Sequence, residues 1–412
     1  MTRKTALSRR ELLRTSLALP LAAVPAAEAY GSPALARPSI YQKLGVRTYI
    51  NAYGTLTTLG GTLMLPEVKQ AMEEASQHFV PIHGLQARVG QRLAELTGAE
   101  AAFVTAGASA SLCLATCAVT AGGDVERIDR LPHLDGLEGM KSEIVIQKAH
   151  RNSYDHAFRM VGVRLVDVET EDEARAAIGP KTAALAMVLS HNSLGHKIPL
   201  ERMIAIAHDR NLPVILDAAA EVPPAENLRK FVAMGTDLVA ISGGKNLRGP
   251  QCSGLLLGRK DLIEAAYANS APHNRFARIA KVGKEEIVGL LTAVELYLNG
   301  RDHEAERNAH HAMLERVARR LEGLDTVVTE YATNDDYSHS PRLTVQWDEK
   351  ALGLSLQDVM TALEEGEPGI IATDMTEYVP PWKGVGIFPY NLRPGEEILV
   401  ADRLREILGR RA

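Results

Sequence analysis

The chain has 412 residues, a formal net charge of −5 and 24% charged residues, the balance of a globular protein with length for a large core and two domains. Its slight acidity gives no electrostatic footprint for a nucleic-acid partner. Without an apolar run of ~18 residues, neither a membrane span nor stable membrane association is expected.

The first residues stand apart. Ser8 to Leu13, SRRELL, carry a twin arginine, followed by the short apolar stretch SLALPLAAVPAA and by Ala27-Glu28-Ala29, with small residues where a signal peptidase reads. The pattern reads as a twin-arginine export signal over residues 1–29, hence a periplasmic protein, with a basic amphipathic helix as the alternative. Twin-arginine export carries folded proteins, often around a cofactor, so a bound prosthetic group is expected.

From Tyr41 onward, strand-like and helix-like segments alternate. AAFVTAG precedes SASLCLATCAV, SEIVIQKAH precedes YDHAFRMVG, and VRLVDV precedes the acidic EDEARAAI. TAALAMVLS, ERMIAIAHDR, NLPVILDAAA, TDLVAISGG and CSGLLLGR continue the pattern. Short strands apolar on both faces, separated by amphipathic helices, predict a parallel α/β sheet covered on both sides. Between them the charged stretch Gly122 to Lys141 is either a surface excursion or a lid. Cys113 and Cys117, one helical turn apart in an apolar segment, read as small hydrophobes. With Cys252 they make three cysteines, which cannot all pair, and no His/Cys cluster has metal spacing, so no structural metal is expected. Beyond KEEIVGLLTAVELYLNG and the charged RDHEAERNAHHAMLERVARRLEGL the texture changes. TVVTEYA, SPRLTVQWD and GIIATD look like strands with helices between, ending in PGEEILVADRLREILG. The expected organisation is a signal over 1–29, an N-terminal segment 30–60 packing on the small domain, a large domain 61–300, and a small α+β domain 301–412.

Ligands gather beyond the C-terminal ends of strands in such sheets, and four strand ends carry suggestive residues. Lys245 follows DLVAIS between glycines and a Gly-Pro pair. A P-loop does not fit, because Val239 and Asn246 occupy the positions that need Gly and Ser/Thr. Asp217 ends LPVIL about one helix and one strand earlier; alone it reads as a cap or turn residue, beside Lys245 as a partner at the same sheet edge. Gly107, Ala108 and Ser109 open a helix after AAFVT and make either a tight turn or an anion site built from free amides and a hydroxyl, to which Ser242 adds a second hydroxyl. His150 ends SEIVIQKA, where its ring is either structural or stacks on an aromatic ligand, and Asn192 and Ser193 offer hydrogen bonds at a further strand end. An amine, a carboxylate, a phosphate cradle and a stacking ring together describe pyridoxal 5′-phosphate (PLP). The flanking glycines are expected to give the amine room to swing.

The order of these motifs resembles the fold type I PLP-dependent enzymes (aspartate aminotransferase-like), and more narrowly the selenocysteine synthase and D-glucosaminate-6-phosphate ammonia-lyase group. Tyr49–Gly61 (YINAYGTLTTLGG), Glu95–Ala110, Val214–Pro224, Ser242–Ile263 and Lys281–Leu291 carry the likeness. The resemblance implies a mostly parallel large domain with a small C-terminal domain, a homodimer or higher oligomer, Lys245 as the Schiff-base lysine and Asp217 as the pyridinium partner. It also implies phosphate binding at Gly107–Ser109 and stacking by His150. Two departures, an export signal in place of a transfer-RNA-binding region and Leu85 where selenocysteine synthases have an arginine, argue against selenium transfer. Arg278 and Lys281 match an anion-handling region of the family or are solvated charges. Arg393 stands where such enzymes often present a carboxylate-binding arginine, or is a loop residue beside the following glutamates. The expected substrate is a small amino-acid-like molecule, and the expected reaction Cα deprotonation with α,β-elimination. Racemase, aldolase and aminotransferase chemistry, or a non-catalytic exported binding protein, are the alternatives.

Overall fold

A computed structural model describes residues 39–134, 139–189, 198–332, 341–377 and 383–409. The export signal over 1–29 and the pair Asn192–Ser193 lie outside these residues. Met1–Thr48 forms one unit, of which the described part holds the short helix Ile40–Leu44, closed at its start by a capping box between Ser39 and Gln42. Tyr49–Ala412 forms the other.

The strands of this second unit are, in chain order, β1 (Tyr49–Asn51), β2 (Ala101–Thr105), β3 (Glu143–Gln147), β4 (Arg164–Val168), β5 (Thr182–Val188) and β6 (Val214–Asp217). Then come β7 (Leu238–Ser242), β8 (Gly254–Gly258), β9 (Val328–Ala332), β10 (Arg342–Gln346), β11 (Gly369–Ile371), β12 (Thr373–Asp374) and β13 (Val385–Ile387). Among the described residues the principal sheet has seven strands in the order β2-β8-β7-β6-β5-β3-β4. It is mostly parallel: β8 alone runs against its neighbours β2 and β7.

Alternation along the strands divides the core. Val104, Val145, Leu185, Leu216, Val239 and Leu257 face one side, against Leu93, Met203, Phe231 and Leu290 from four helices. Phe103, Ile144, Ala186, Ile215, Ala240 and Leu256 face the other, against Leu112, Phe158 and Ile263. Both faces are covered, which is why the strands read as unbroken apolar runs. Truncating a fully buried leucine such as Leu93 or Leu290 to alanine costs about 2–5 kcal/mol. Cys113 and Cys117 sit inside the second face. YDHAFRMVG gives only one turn of α-helix, His156–Arg159, after a 3₁₀ turn.

A separate cluster builds the C-terminal part. Met313, Leu314 and Val317 of the helix His303–Leu321 pack with Leu343, Val345, Ile387 and Leu404 over the four-stranded sheet β12-β13-β10-β9. Ile50 and Ala52 join this cluster, and β1 pairs in parallel with β11.

Candidate active site

The strand order brings the singled-out residues to one edge. Because β2 and β7 both oppose β8, their C-terminal ends lie on the same side as those of β3, β5 and β6. Thr105, Gly254 and Ser242 stand in register across β2, β8 and β7. Asp217 pairs with Ala240 on one side and Val188 on the other. His150, just beyond β3, accepts a hydrogen bond at Nδ1 from the Val188 amide at 3.3 Å.

Lys245 rides on a closed turn. The Gly243 amide donates to Ser253 O (2.9 Å), Gly249 N to Gly243 O (2.9 Å) and Arg248 N to Lys245 O (2.8 Å), while Thr62 Oγ1 donates to Lys245 O at 2.8 Å. The glycines serve this packing. A Cβ at Gly243 would come within 2.1 Å of Ser253 Oγ, and one at Gly244 within 2.8 Å of Gln251 Cα. The amine itself is surrounded by protein: desolvation lowers its pKa, and the nearby Asp217 and Glu221 carboxylates only partly oppose this. Asp217 is 8% exposed. Its burial raises the carboxyl's pKa, against the Ala219 amide, which donates to Oδ1 at 3.0 Å, and the charge of Lys245.

The helix Ala108–Thr120 opens at Gly107, whose φ of 128° suits glycine. No side chain caps it and its first turn holds no acidic residue. The first amides of a helix lack intrahelical acceptors, so those around Ala108 and Ser109 are open to an outside anion. Gly254 keeps the approach close, since a Cβ there would lie 2.4 Å from the Gly107 carbonyl carbon. A phosphate group fits this cradle, and an aromatic aldehyde with a ring nitrogen fits the buried amine and carboxyl beside it. His150 is fully buried, with its ring plane held by β5; a flat ligand reaches it only by displacing what covers it now.

The substrate candidates are less gathered. The stretch around Arg278 borders, through Phe276, Ala277 and Ile279, an apolar cleft of about 770 Å³ that also contains Ser109. Arg278 is half-buried and Lys281 exposed. Arg393 is exposed, and its backbone amide, not its guanidinium, meets Glu396 at 2.8 Å. Three residues near the lysine escaped the sequence reading. Glu221 is a buried acid close enough to act on Lys245; its only signal was a charge closing the AAAE run. Thr62 and Gln251 brace the turn from distant or apolar-looking stretches and carried no local signal.

Comparison with known proteins shows the family. The aminotransferase class-V family model matches residues 141–372. The chain is 35% identical over 381 residues to D-glucosaminate-6-phosphate ammonia lyase of Salmonella typhimurium, covering 90% of this chain and 98% of that one. It is 33% identical to 5′-C-glycyluridine monooxygenase-decarboxylase of a Streptomyces species, over 89% and 92% of the two chains. A solved structure of D-glucosaminate-6-phosphate ammonia-lyase superposes with a TM-score of 0.77 at 34% identity, covering 90% and 99%. The chain therefore belongs to the fold type I PLP-dependent enzymes, in the group of selenocysteine synthase and D-glucosaminate-6-phosphate ammonia-lyase.

Proposed function

We propose that the protein is a PLP-dependent lyase that takes the Cα proton from an amino acid or amino-sugar acid and eliminates a group from Cβ, releasing ammonia. The observation that carries this reading is the half-buried Lys245, its amine desolvated, beside the buried Asp217 at the sheet edge that also holds the Gly107–Ser109 cradle. When bound, PLP supplies a positively charged ring that accepts electrons from the substrate's Cα. Gly107, Ala108 and Ser109 hold the phosphate, with Ser242 in register one strand beyond Gly254. Asp217 holds the proton on the ring nitrogen. His150 would form a wall against the ring once what covers it is displaced. Lys245, its basicity lowered by burial, is neutral over a wider pH range than a surface lysine and takes the Cα proton as general base. The proton it gains can pass to a hydroxyl leaving Cβ as water. The released enamine tautomerises to an imine, and addition of water gives ammonia and a keto acid.

Arg393 is the candidate for the substrate carboxylate, with Arg278 and Lys281 as candidates for a further anionic group. The 33% identical relative is named for a monooxygenase-decarboxylase, so the same scaffold carries other outcomes, and product identification decides between them. The twin arginine Arg9-Arg10 supports export to the periplasm. Exposed Tyr154, Met160 and Ile279 beside the cleft at Ser109 support a homodimer or larger assembly that covers them.

Borohydride reduction followed by peptide mapping should place the cofactor on Lys245. A screen of hydroxy-amino acids and amino-sugar acids should then yield ammonia and a keto acid in equal amounts. A label on another residue, or pyridoxamine formation without ammonia, would overturn the reading.

A further inference from the structure

A second cleft, of about 340 Å³, borders the lysine turn. Asn246 and Arg248 of that turn line it with Tyr297, Arg301, Glu306 and His310. Three arginines, Arg248, Arg301 and Arg307, and three glutamates, Glu226, Glu304 and Glu306, line it, but they are unevenly paired. Arg301 is matched by Glu306, which its Nε and Nη2 meet at 2.8 and 2.7 Å, and its guanidinium lies over the Tyr297 ring at 4.7 Å. Arg248 has no such acid: its Nε donates to Leu63 O at 3.0 Å, and no carboxylate pairs with it among the described residues. The residue is half-buried and holds φ at 56°, a left-handed backbone that a non-glycine residue adopts at a cost. Burial and the neighbouring Arg301 lower its pKa, and the Glu306 carboxylate, already bonded to Arg301, opposes them only in part. Burial likewise lowers the pKa of His310 and favours its neutral ring, which offers hydrogen bonds.

An independent observation points the same way. Tyr297 is 1% exposed, and among the described residues its hydroxyl has no hydrogen-bond partner. The charges that act on that hydroxyl, Arg301, Glu306 and Glu226, all belong to this cleft. A buried hydroxyl without a partner costs about 1–3 kcal/mol, and it lines the same cleft as the Arg248 guanidinium. Each supplies what an oxyanion accepts. At the rim, exposed Glu226 and Glu304 are acceptors for hydroxyl groups.

We propose that this cleft binds a small hydroxylated organic oxyanion, a carboxylate or a phosphate ester, whose acid group is taken by Arg248 and Tyr297. The site lies beside, not within, the set of residues assigned to the cofactor, and it does not depend on the lyase reading. Arg248 closes the lysine turn through its amide bond to Lys245 O, so an occupant that fixes Arg248 also stiffens that turn.

The test is calorimetric titration of the holoenzyme, whose phosphate cradle is already filled, with gluconate, with glycerol phosphate and with neutral sorbitol. Saturable binding of at least one anion is expected, and none of sorbitol; the preferred anion tells carboxylate from phosphate ester. Arg248→Gln should weaken binding about tenfold or more, the loss of one charge-assisted contact. Tyr297→Phe should weaken it severalfold while leaving the melting temperature unchanged or higher, because the hydroxyl it removes has no partner in the free protein. If Arg248→Gln does not fold, Tyr297→Phe alone decides. Isotherms unchanged by both substitutions would overturn the site, as would a Tyr297→Phe variant that melts lower yet binds normally. Cofactor absorbance retained throughout would leave the lyase reading standing in either case.

Discussion

Two buried aspartates lie in the same sheet, one at each edge. Asp237, 4% exposed, sits at the N-terminal edge just before β7. It accepts from the Val214 amide at 2.8 Å and from Arg259 Nη1 at 3.1 Å, and its Oδ2 lies 2.9 Å from His208 Nε2. Asp217, at the C-terminal edge, receives one amide bond from Ala219 and otherwise faces the desolvated Lys245. A carboxylate that builds structure has its lone pairs filled by the fold. The one at the ligand edge is left under-satisfied, and its capacity is held for something the chain does not provide. The same contrast separates Arg259, bonded to Asp237 and Asp261, from Lys245.

Substitutions can break this contrast from either end. Lys245→Ala should produce the largest change, a loss of activity of ~10³-fold or more, since nucleophile and general base go together. The apoprotein should melt no lower than wild type, because a desolvated amine has been removed. Asp217→Asn should cost about 10²-fold or more in turnover by withdrawing the charge that keeps the ring nitrogen protonated, again with apoprotein stability equal or higher. Asp237→Ala should do the reverse. It leaves the Val214 amide without its acceptor and costs about 1–3 kcal/mol of stability, with turnover per folded molecule unchanged. Urea melts and steady-state rates on the three variants measure both quantities. If Asp217→Asn melted well below wild type, the two aspartates would be of one kind and the contrast would be lost.

That contrast was half legible in the sequence. Lys245 and Asp217 stood out because each ends an apolar run, and a parallel sheet collects such ends at one edge. The direction of β8 was not legible: GLLLG is buried at every position and reads the same whichever way it runs. Nor was the role of the lysine-turn glycines, since close contact with Ser253 and Gln251 exists only once β7 and β8 are paired. Tyr297 reads as one more apolar position of the helix Lys284–Asn299; the missing partner of its hydroxyl appears only in three dimensions. Arg393 had a sound positional argument, yet its side chain is exposed, because local sequence does not say how the small domain turns a loop.

Smaller effects sharpen the comparison at the cradle. Gly254→Ala places a methyl group 2.4 Å from the Gly107 carbonyl carbon and 2.6 Å from its oxygen. Backbone cannot move aside as a side chain can, so about 1–3 kcal/mol of overpacking strain is expected. It should show as weaker PLP retention on dialysis beyond any fall in melting temperature. Equal PLP retention would mean that the open amides at Ala108 and Ser109 are not where the phosphate sits.

The smallest and most specific effect is in the pH dependence of the apoprotein. Asp217 has a raised pKa in the fold, so its contribution to stability is complete below the unfolded value of about 3.9 and is lost as pH rises through the folded one. Lys245 has a lowered pKa, so its contribution is complete above about 10.4 and is lost as pH falls through its folded value. Between these limits the fold carries the cost of both charges. Asp217→Asn cannot ionise and escapes the first cost. The difference in melting temperature, variant minus wild type, should therefore grow as pH rises from about 4 towards neutrality. Removing the partner charge leaves Lys245 harder to protonate in the variant, so part of that gain should fade at the acid end of the neutral range. A difference that stayed flat with pH would show that Asp217 is as well satisfied as Asp237, and that its burial holds nothing in reserve for a ring nitrogen.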